Sequence, residues 1–559
     1  MPTLLHAIGS VKVLASRFPR WCGRSRVLTV MVGMVLAVGV LASPAAAVTA
    51  SITLKPSSGP PTTKVSVTGT GFGASETVAV DFSGTQVATA ATSATGTFSA
   101  TFTVPKSALP GSHPVTATGQ PSGRSATKNF LVRANWAKFH FDPANSGLNP
   151  YENVIGPASV SGLKTAWTTN VTSAVGNSPA VANGVVYVGS VQGKLYAFSA
   201  AGTTGCSGTP KTCTPLWTGA IGGGGQIDFS SPAVAGGVVY VAATDGNLYA
   251  FSAAGTTGCS GTPKTCVPLW TAAIAGGGTV GQSSPVVAGG VVYVSAGGTL
   301  YAFSAAGTTG CSGTPKTCTS LWTAASVNGE SSPAVAGGVV YVGAFNAVAA
   351  FSAAGTTGCS GTPPARTCTP LWTGDASTGS TGGSSSPAVA GGVVYIGSTD
   401  GKFYAFSAGG TTGCSGTPKT CAPLWTGPTT NQILSSPAVA HGVAYIGSLD
   451  GKFYAFSATG TTGCSGTPKT CAPLWTAAGA GGNPSPAVAN GLVYAASGGQ
   501  IYAFSAAGTT GCSGTPKTCT PLWTGTSPSN TTYASPAVAN GMVYEGQWNL
   551  EGLLAYKLP

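Results

Sequence analysis

Residues 178–198 read SPAVANGVVYVGSVQGKLYAF, and residues 231–251 read SPAVAGGVVYVAATDGNLYAF. Each stretch has a short apolar segment, a glycine turn, a valine-rich strand with a tyrosine, a second turn and a strand that ends in Tyr-Ala-Phe. β-Branched and aromatic residues between glycine turns are typical of short β-strands. The two stretches begin about 50 residues apart, which indicates a repeated unit of β-structure.

The same pattern recurs from residue 163 to the end of the sequence, and a tryptophan precedes every copy. Because a fixed period of this length marks a repeat architecture, the copies count the structural units. Eight copies are present, and their tryptophans are Trp167, Trp217, Trp270, Trp322, Trp372, Trp425, Trp475 and Trp523.

Copies of four short strands predict a closed ring, because a lone sheet of this composition leaves two apolar faces that its neighbours must cover. We therefore expect an all-β protein in which residues 163–559 form an eight-bladed β-propeller with four-stranded blades. The order of the pattern places the tryptophan strand first in each blade. Closure of the ring is expected to involve both ends of this region.

A second type of β-structure is expected ahead of the repeats. Residues 48–133 alternate apolar and polar residues between Gly, Pro and Ser turns, which predicts a small antiparallel sandwich. The turn GTGFG at 69–73 and the strand GTFSATFTVP at 96–105 resemble the immunoglobulin-like modules of bacterial surface proteins. Residues 134–162 are then a lead-in segment to the propeller.

The N-terminus has the three-part pattern of a secretory signal. Basic residues precede the apolar run VLTVMVGMVLAVGVL at 27–41, and small residues follow at 45–47. We predict a signal peptide over residues 1–47, and hence no transmembrane span after its cleavage. The alternative is a retained membrane anchor, for which the run is short.

The cysteines agree with export to an oxidising compartment. Of the 15 cysteines, Cys22 lies in the predicted signal, and the other 14 form seven pairs in loops of the form CSGTPKTC, one of which reads CSGTPPARTC. Uniform short spacing predicts local disulfides. Metal binding is the alternative, but no His or Asp recurs beside the pairs to complete a site. The predicted pairs are Cys206/Cys213, Cys259/Cys266, Cys311/Cys318, Cys359/Cys368, Cys414/Cys421, Cys464/Cys471 and Cys512/Cys519.

Composition argues against a nucleic-acid partner. The net charge of the 559 residues is +12, yet only 6% of them are charged, against about 25% in an ordinary soluble protein. Several of the basic residues lie in the predicted signal, ahead of the first acidic residue, Glu76. A nucleic-acid-binding protein would usually carry a denser basic patch with interleaved aromatic residues.

Each cysteine loop carries one cation between its cysteines and no acidic residue. If the loops join the last strand of one blade to the first of the next, these charges form a ring on one face. Such a ring could attract a repeating polyanion, for example an anionic cell-wall polymer, through several weak contacts. The alternative is that the cations only solvate a charge-poor protein. The ring consists of Lys211, Lys264, Lys316, Arg366, Lys419, Lys469 and Lys517.

The repeats resemble the propellers of pyrroloquinoline-quinone-dependent dehydrogenases and of their non-enzymatic relatives, such as the outer-membrane assembly propeller. The segments NWAKF at 135–139 and DPANSG at 142–147 are similar to the lead-in of such propellers. Blades of the family usually carry A-x-D-x-x-T-G-x-x-x-W, which docks one blade on the next. Here Ser199 and its counterparts replace the aspartate, and the Thr-Gly stretch is expanded into the cysteine loop.

An enzyme of this family would need an acidic base, calcium ligands and, in many members, a disulfide between adjacent cysteines. The sequence has no Cys-Cys pair. Asp245, Asp400 and Asp450 each precede a glycine, which indicates hairpin turns, and acidic residues such as Asp228 and Glu330 lie singly in variable loops. We therefore predict no catalytic residue, no metal site and no bound cofactor.

We expect a secreted or cell-surface monomer without enzymatic activity, which acts as a scaffold that binds an extracellular protein or a cell-wall polymer. The alternative is a quinone-dependent oxidoreductase of reduced type, and a third interpretation is attachment to cell-wall glycan. The tryptophans recur at one position of every copy, so we interpret them as blade packing and not as ligand-stacking residues. His441 replaces the Gly or Asn of the equivalent turns and is interpreted as a turn residue.

Overall fold

The computed structural model describes residues 49–169, 171, 173–222, 224–274, 283–328, 330–344, 347–364, 366–376, 385–526, 534–548 and 552–559. Within these ranges the regular structure is β, apart from one turn of 3-10 helix at Val160–Gly162, so the all-β expectation is confirmed. None of their helices is long and apolar enough to cross a membrane. The predicted signal peptide, residues 1–47, lies outside the described residues.

The first domain is a sandwich of two sheets, ordered β1-β3-β6 and β2-β8-β7-β4-β5. Its strands alternate between core and solvent: in β3, Val65 and Val67 are buried, whereas Lys64 and Thr68 are exposed. The predicted immunoglobulin-like sandwich is therefore confirmed. Its strands are β1 (Ser51–Lys55), β2 (Ser58–Gly59), β3 (Lys64–Thr70), β4 (Thr77–Phe82), β5 (Thr85–Ala91), β6 (Phe98–Thr103), β7 (Gly111–Gln120) and β8 (Ser125–Val132).

The described part of the repeat region forms eight sheets, each with an inner, a second, a third and an outer strand. We number them sheet 1 to sheet 8 in the order of their inner strands. The inner strands are Ala180–Ala182, Ala233–Ala235, Val286–Ala288, Ala334–Ala336, Ala388–Ala390, Ala438–Ala440, Ala487–Ala489 and Ala537–Ala539. The second strands are Val185–Gly189, Val238–Ala243, Val291–Ala296, Val339–Ala344, Val393–Gly397, Val443–Gly447, Leu492–Ser497 and Met542–Gln547.

The third and outer strands complete each sheet in antiparallel order. The third strands are Lys194–Ser199, Asn247–Ser252, Thr299–Ser304, Ala347–Ser352, Lys402–Ser407, Lys452–Ser457, Gln500–Ser505 and Gly552–Lys557. The outer strands of sheets 1 to 7 are Trp217–Ala220, Trp270–Ala273, Trp322–Ala325, Trp372–Gly374, Trp425–Pro428, Trp475–Ala478 and Trp523–Thr526.

The position of the tryptophan strand corrects the sequence-based strand order. It is the outer strand of a sheet and pairs with the Tyr-Ala-Phe strand that precedes it, as Ala197 opposite Trp217 illustrates. The first tryptophan strand, Lys164–Thr169, consequently has no third strand before it in the chain. It pairs antiparallel with Gly552–Lys557 and becomes the outer strand of sheet 8. Closure by both ends of the repeat region is thereby confirmed.

The cysteine loops form two-stranded cystine hairpins, and their position is a second correction. Each loop joins the third strand to the outer strand of the same sheet, and not one blade to the next. Its hairpin then pairs in parallel with the outer strand of the preceding sheet. The hairpin strands are Cys206–Ser207 with Lys211–Cys213, Cys259–Ser260 with Thr265–Cys266, Cys311–Ser312 with Thr317–Cys318, Cys359–Ser360 with Thr367–Cys368, Cys414–Ser415 with Thr420–Cys421, Cys464–Ser465 with Thr470–Cys471 and Cys512–Ser513 with Thr518–Cys519.

Neighbouring sheets dock through a tyrosine and a tryptophan. In sheet 1 the Tyr187 hydroxyl and the Trp217 indole N–H both donate to the carbonyl of Ala253 in sheet 2, at 2.9 and 3.3 Å. Gly255 has a φ of +61°, and a Cβ atom there would lie 2.2 Å from the Trp217 ring. Gly255 and the equivalent glycine of each other cysteine loop are therefore needed for two reasons: the backbone has a positive φ, and it lies too close to the tryptophan ring for a Cβ atom. The interpretation of the tryptophans as blade packing is confirmed.

The lead-in segment pairs with the inner strands near the axis of the ring. Trp136 exchanges backbone hydrogen bonds of 2.8 and 2.7 Å with Val181 of sheet 1. The valine N–H groups of five further inner strands donate to carbonyls of the lead-in, and Leu148–Asn149 pairs in parallel with the inner strand of sheet 7. The five bonds are Val234 to Ala137, Val335 to Pro143, Val389 to Ala144, Val439 to Ser146 and Val488 to Gly147.

Candidate functional site on the ring axis

Eight serines form a closed ring of hydrogen bonds around the axis. Each serine precedes the proline at the start of an inner segment, and its backbone N–H donates to the Oγ atom of the serine in the next sheet, over 2.8–3.0 Å. Each oxygen already accepts one bond, so its own O–H remains a donor for water or a ligand. The ring consists of Ser178, Ser231, Ser284, Ser332, Ser386, Ser436, Ser485 and Ser535.

The serine ring surrounds a cavity of about 190 Å³. Phe139 of the lead-in lines it, together with Phe229, Glu330, Leu434 and Asn483 from the loops that lead into the inner strands. Phe229 also stacks on Trp548, with ring centroids 5.4 Å apart and an angle of 10° between the planes. These loops vary from repeat to repeat in the sequence, and the described ones contribute the cavity residues that differ between sheets.

A polar cluster holds Phe139 in position. The Lys138 amine donates to the carbonyl of Phe139 and to the side-chain oxygen of Asn145, and the Asn145 amide donates to the carbonyls of Pro333 and Pro387 at 3.2 and 3.0 Å. Those prolines directly follow two serines of the ring. Burial lowers the pKa of Lys138 to about 7, an effect that the Asp142 carboxylate opposes.

His140 is part of the same packing and stays neutral. Its ring stacks on Phe139 with centroids 4.2 Å apart. Burial, and then the charge of Lys138, lower the pKa of His140 to about 3. Both His140 and Phe141 have positive φ angles, of 59° and 72°, a conformation that costs free energy in non-glycine residues. The hydrogen bonds between lead-in and inner strands stabilise this conformation.

The carboxylates near the cavity do not form a cluster. Asp228 is half-buried, and burial raises its pKa to about 6. Among the described residues, no group of three or more His, Cys, Asp or Glu side chains could hold a metal ion. Asp245, Asp400 and Asp450 accept the N–H two residues ahead and a tyrosine hydroxyl in the same hairpin, so their role in turns is confirmed.

The cavity does not fit pyrroloquinoline quinone. Its volume is below the range of about 300–1,000 Å³ that is usual for cofactor pockets. The quinone carries three carboxylates, which cationic side chains usually bind, whereas the described lining has eight serines, one glutamate and no lysine or arginine.

The seven cysteine pairs are disulfide-bonded within their own loops, as predicted. We call the seven cations of these hairpins the cation collar, because the hairpins lie at the outer edges of the sheets. Its six lysines are exposed and Arg366 is half-buried. Lys211, Lys316 and Lys517 donate to glycine carbonyls of their own loops at 3.0–3.1 Å. No collar residue has an ion-pair partner in the described part of the chain.

A second cavity, of about 590 Å³, lies between the lead-in and sheets 5 and 6. Phe141, Leu148 and Tyr151 line it on one side, and Tyr395 and His441 on the other. His441 has a φ of 50° at a turn where the equivalent residues are Gly or Asn, so its interpretation as a turn residue is confirmed.

These features define the class of the protein: a β-propeller closed by both ends of its repeats and preceded by an immunoglobulin-like module. The family model described as outer membrane protein assembly factor BamB matches residues 164–408 and 364–511, and the chain belongs to this family. The IPT/TIG domain model matches residues 48–132. No curated protein matches the chain at a significant level.

Solved structures share the fold at low sequence identity. Quinohemoprotein alcohol dehydrogenase from Comamonas testosteroni is 13% identical with a TM-score of 0.52, covering 76% of this chain and 80% of that one. Quinohemoprotein alcohol dehydrogenase ADHIIG from Pseudomonas putida HK5 is 15% identical with a TM-score of 0.50 and the same coverage. BamB from Moraxella catarrhalis is 13% identical with a TM-score of 0.46, covering 71% of this chain and 97% of that one. The two dehydrogenase structures confirm the expected propeller fold, and the matching family model confirms the resemblance to the BamB repeats.

Sequence reasoning missed the serine ring and the role of the lead-in. The Ser-Pro dipeptide recurs in all eight copies, but a local pattern does not reveal that the serines meet on an axis. A constant serine before a proline, at the start of the strand nearest the axis, was the available signal. No local sequence pattern predicts the hydrogen bonds of residues 136–149, because these bonds join the lead-in to strands far along the chain.

Proposed function

We propose that this chain is a secreted, non-enzymatic binding protein that engages a repeating anionic polymer at the cell surface. The observation that carries the proposal is the cation collar: seven equivalent hairpins present one cation each at the outer edges of seven sheets. Uniform positive charges at a regular spacing suit a ligand that is itself repetitive. The seven disulfides and the predicted signal peptide support a role in an oxidising, extracellular compartment.

The affinity of the collar for a polymer is expected to come from several contacts made at once. A single exposed lysine gains little from one anion in water, but several contacts to one polymer act at a high effective concentration. The attraction is screened by salt, because the Debye length is about 8 Å at physiological ionic strength. Binding should therefore weaken steeply as salt is added.

The axis of the ring supports a role without catalysis. Catalysis needs different groups in different roles at one asymmetric site, whereas most polar groups that line the central cavity are one serine repeated in every sheet. Glu330 is the one carboxylate among its described lining residues. A quinone-dependent dye-reduction assay on the purified protein, supplied with quinone and calcium, is accordingly expected to show no activity.

Retention on isolated anionic wall polymer at low and high salt tests the proposal. A variant with Gln at all seven collar positions should lose retention at low salt, and the wild type should lose it at high salt. The matched control replaces four exposed lysines of the immunoglobulin-like domain, Lys55, Lys64, Lys106 and Lys128, by Gln and should be retained like the wild type. Equal retention of the collar variant, or retention that is indifferent to salt, would contradict the proposal.

A further inference from the structure

Sheet 7 has an outer edge unlike those of the other seven sheets. Sheets 1 to 6 and sheet 8 each contain six strands, because a cystine hairpin adds two strands beyond the outer strand. In sheet 7 the outer strand Trp523–Thr526 is the last strand on that side, and it pairs only with the third strand Gln500–Ser505. Among the described residues, no hairpin continues this sheet. The 3-10 turn Val160–Gly162 contacts its outer strand, and the Leu163 carbonyl accepts the Trp523 indole N–H at 3.2 Å.

The occupied edges follow one rule. In six sheets the N–H of the threonine after the tryptophan donates to the carbonyl of the collar residue of a hairpin, at 3.0 Å. In sheet 6, for example, Thr476 donates to Lys517, and the outer strand runs parallel to the hairpin with Thr476 opposite Thr518. The six donors are Thr218, Thr271, Thr323, Thr373, Thr426 and Thr476.

Thr524 occupies the same position in sheet 7 without such a partner. It faces Tyr502, as Thr476 faces Tyr454, so its N–H points to the outer side of the sheet. No acceptor for this N–H is found within the described part of the chain. Thr524 and Pro521 are exposed, whereas Thr476 and Pro473 of sheet 6 are half-buried under their hairpin.

We propose that the outer edge of sheet 7 binds a β-hairpin of another protein, closed by a disulfide like the hairpins on the other edges. An unpaired strand edge is a template for strand addition. The seven equivalent edges identify the chemistry that fits: a short Thr- and Gly-rich hairpin that runs parallel to the outer strand and presents a carbonyl to Thr524.

A second copy of this chain is a poor source of the hairpin. All seven of its cystine hairpins are already paired with its own sheets. Donation of one of them would uncover another edge in the donor molecule, so the number of open edges would not fall. A separate protein with a free hairpin meets no such cost.

The test uses the purified chain and a disulfide-closed peptide with the sequence of residues 508–521, GTTGCSGTPKTCTP, which includes the hairpin on sheet 6. We expect saturable binding by fluorescence anisotropy. T524P removes the donor N–H and should weaken binding about tenfold or more, whereas T524V keeps the N–H and should bind like the wild type. A peptide with serines in place of both cysteines should bind more weakly, because it is not held in the hairpin conformation.

Hydrogen exchange of the wild type provides a measurement that does not depend on the variants. Without peptide, the amide of Thr524 should exchange faster than that of Thr476, and saturating peptide should slow exchange at Thr524 alone. Absence of saturable binding, equal binding by T524P when that variant is folded, or protection at another edge would overturn the proposal. So would protection of residues 523–526 that grows with protein concentration in the absence of peptide, since a second copy would then be the occupant.

Discussion

Glu545 is a buried carboxylate at a position where every other repeat has an apolar residue. It is fully buried in the second strand of sheet 8. Among the described residues, no donor lies within hydrogen-bond distance and geometry of either carboxylate oxygen. Burial raises its pKa to about 8, an effect that Gln547 opposes. The equivalent residues are Val188, Val241, Val294, Val342, Ile396, Ile446 and Ala495.

The substitution E545V should stabilise the protein in a pH-dependent manner. In the unfolded chain the carboxyl ionises near 4.5, whereas in the folded chain it ionises near 8. The contribution of Glu545 to the free energy of unfolding therefore falls as the pH rises from about 5 to about 8 and changes no further above that range. At pH 8 the valine variant should gain roughly 3–5 kcal/mol, and at pH 4.5 much less.

Thermal unfolding of wild type and E545V at pH 4.5 and pH 8 measures this difference. The control E330Q removes a carboxylate from the rim of the central cavity and should leave the pH dependence unchanged. An E545V effect of equal size at both pH values would mean that the pKa of Glu545 is the same in the folded and the unfolded chain.

Loss of one hydroxyl from the serine ring should lower the stability of the protein. S332A removes the acceptor of the Ser284 N–H, which is buried and bonded at 2.8 Å. An unsatisfied buried amide costs about 1–3 kcal/mol, so the melting temperature should fall. The matched control S312A lies on an exposed hairpin strand and should change stability by less than about 0.5 kcal/mol. Equal melting temperatures for both variants would show that water replaces the missing hydroxyl.

At the scale of elements, the cystine hairpins act on the sheet before their own. The hairpin of Cys259 and Cys266 leaves sheet 2 and covers the outer strand of sheet 1, where Thr218 donates to Lys264. Each disulfide thus holds together a two-stranded cap that spans two blades. This arrangement protects sheet edges that would otherwise be open to pairing with other chains.

Replacement of Cys259 and Cys266 by serine should therefore loosen a neighbouring sheet. We expect a loss of about 1–3 kcal/mol, together with faster hydrogen exchange at Trp217–Ala220. Outer strands covered by other hairpins serve as internal controls. Unchanged exchange at Trp217–Ala220 would mean that the cap holds its shape without the disulfide.

The sequence predicted the strands and the disulfides but not which strands are neighbours. Trp217 lies between a Tyr-Ala-Phe strand before it and a Ser-Pro-Ala-Val-Ala strand after it, and local patterns allow pairing with either. Pairing with the preceding strand, Ala197 opposite Trp217, places the indole against Ala253 of the next sheet. That preference arises from packing between sheets, which a repeat pattern does not contain.

At the scale of the whole molecule, the repeat count and the need for closure could be predicted, but the contents of the axis could not. Eight similar copies require a ring to cover their faces, and a ring requires its two ends to meet. The cavity depends instead on contacts between distant residues, such as Ser535 with Ser178 and Asn145 with Pro387. The varied loops around it follow no repeat, so their arrangement is a property of the folded ring.

Ring closure gives different roles to two tryptophans at equivalent positions. Trp167 and Trp322 are both buried in the outer strands of their sheets. The strand of Trp322 is tethered to its third strand by a cysteine loop, whereas Lys164–Thr169 reaches Gly552–Lys557 only through hydrogen bonds and packing. Tryptophan-to-alanine substitution in a core costs about 3–5 kcal/mol. W167A should therefore open the ring at sheet 8, whereas W322A should cause a local loss within a ring that stays closed.

Hydrogen exchange and limited proteolysis distinguish these outcomes. In W167A, residues 552–559 should exchange rapidly and become susceptible to proteases, because their partner strand can leave without any covalent restraint. In W322A the same residues should remain protected, and fast exchange should be confined to sheets 3 and 4, between which Trp322 packs. Protection of residues 552–559 in both variants would mean that the backbone pairing of Lys164–Thr169 closes the ring without its tryptophan.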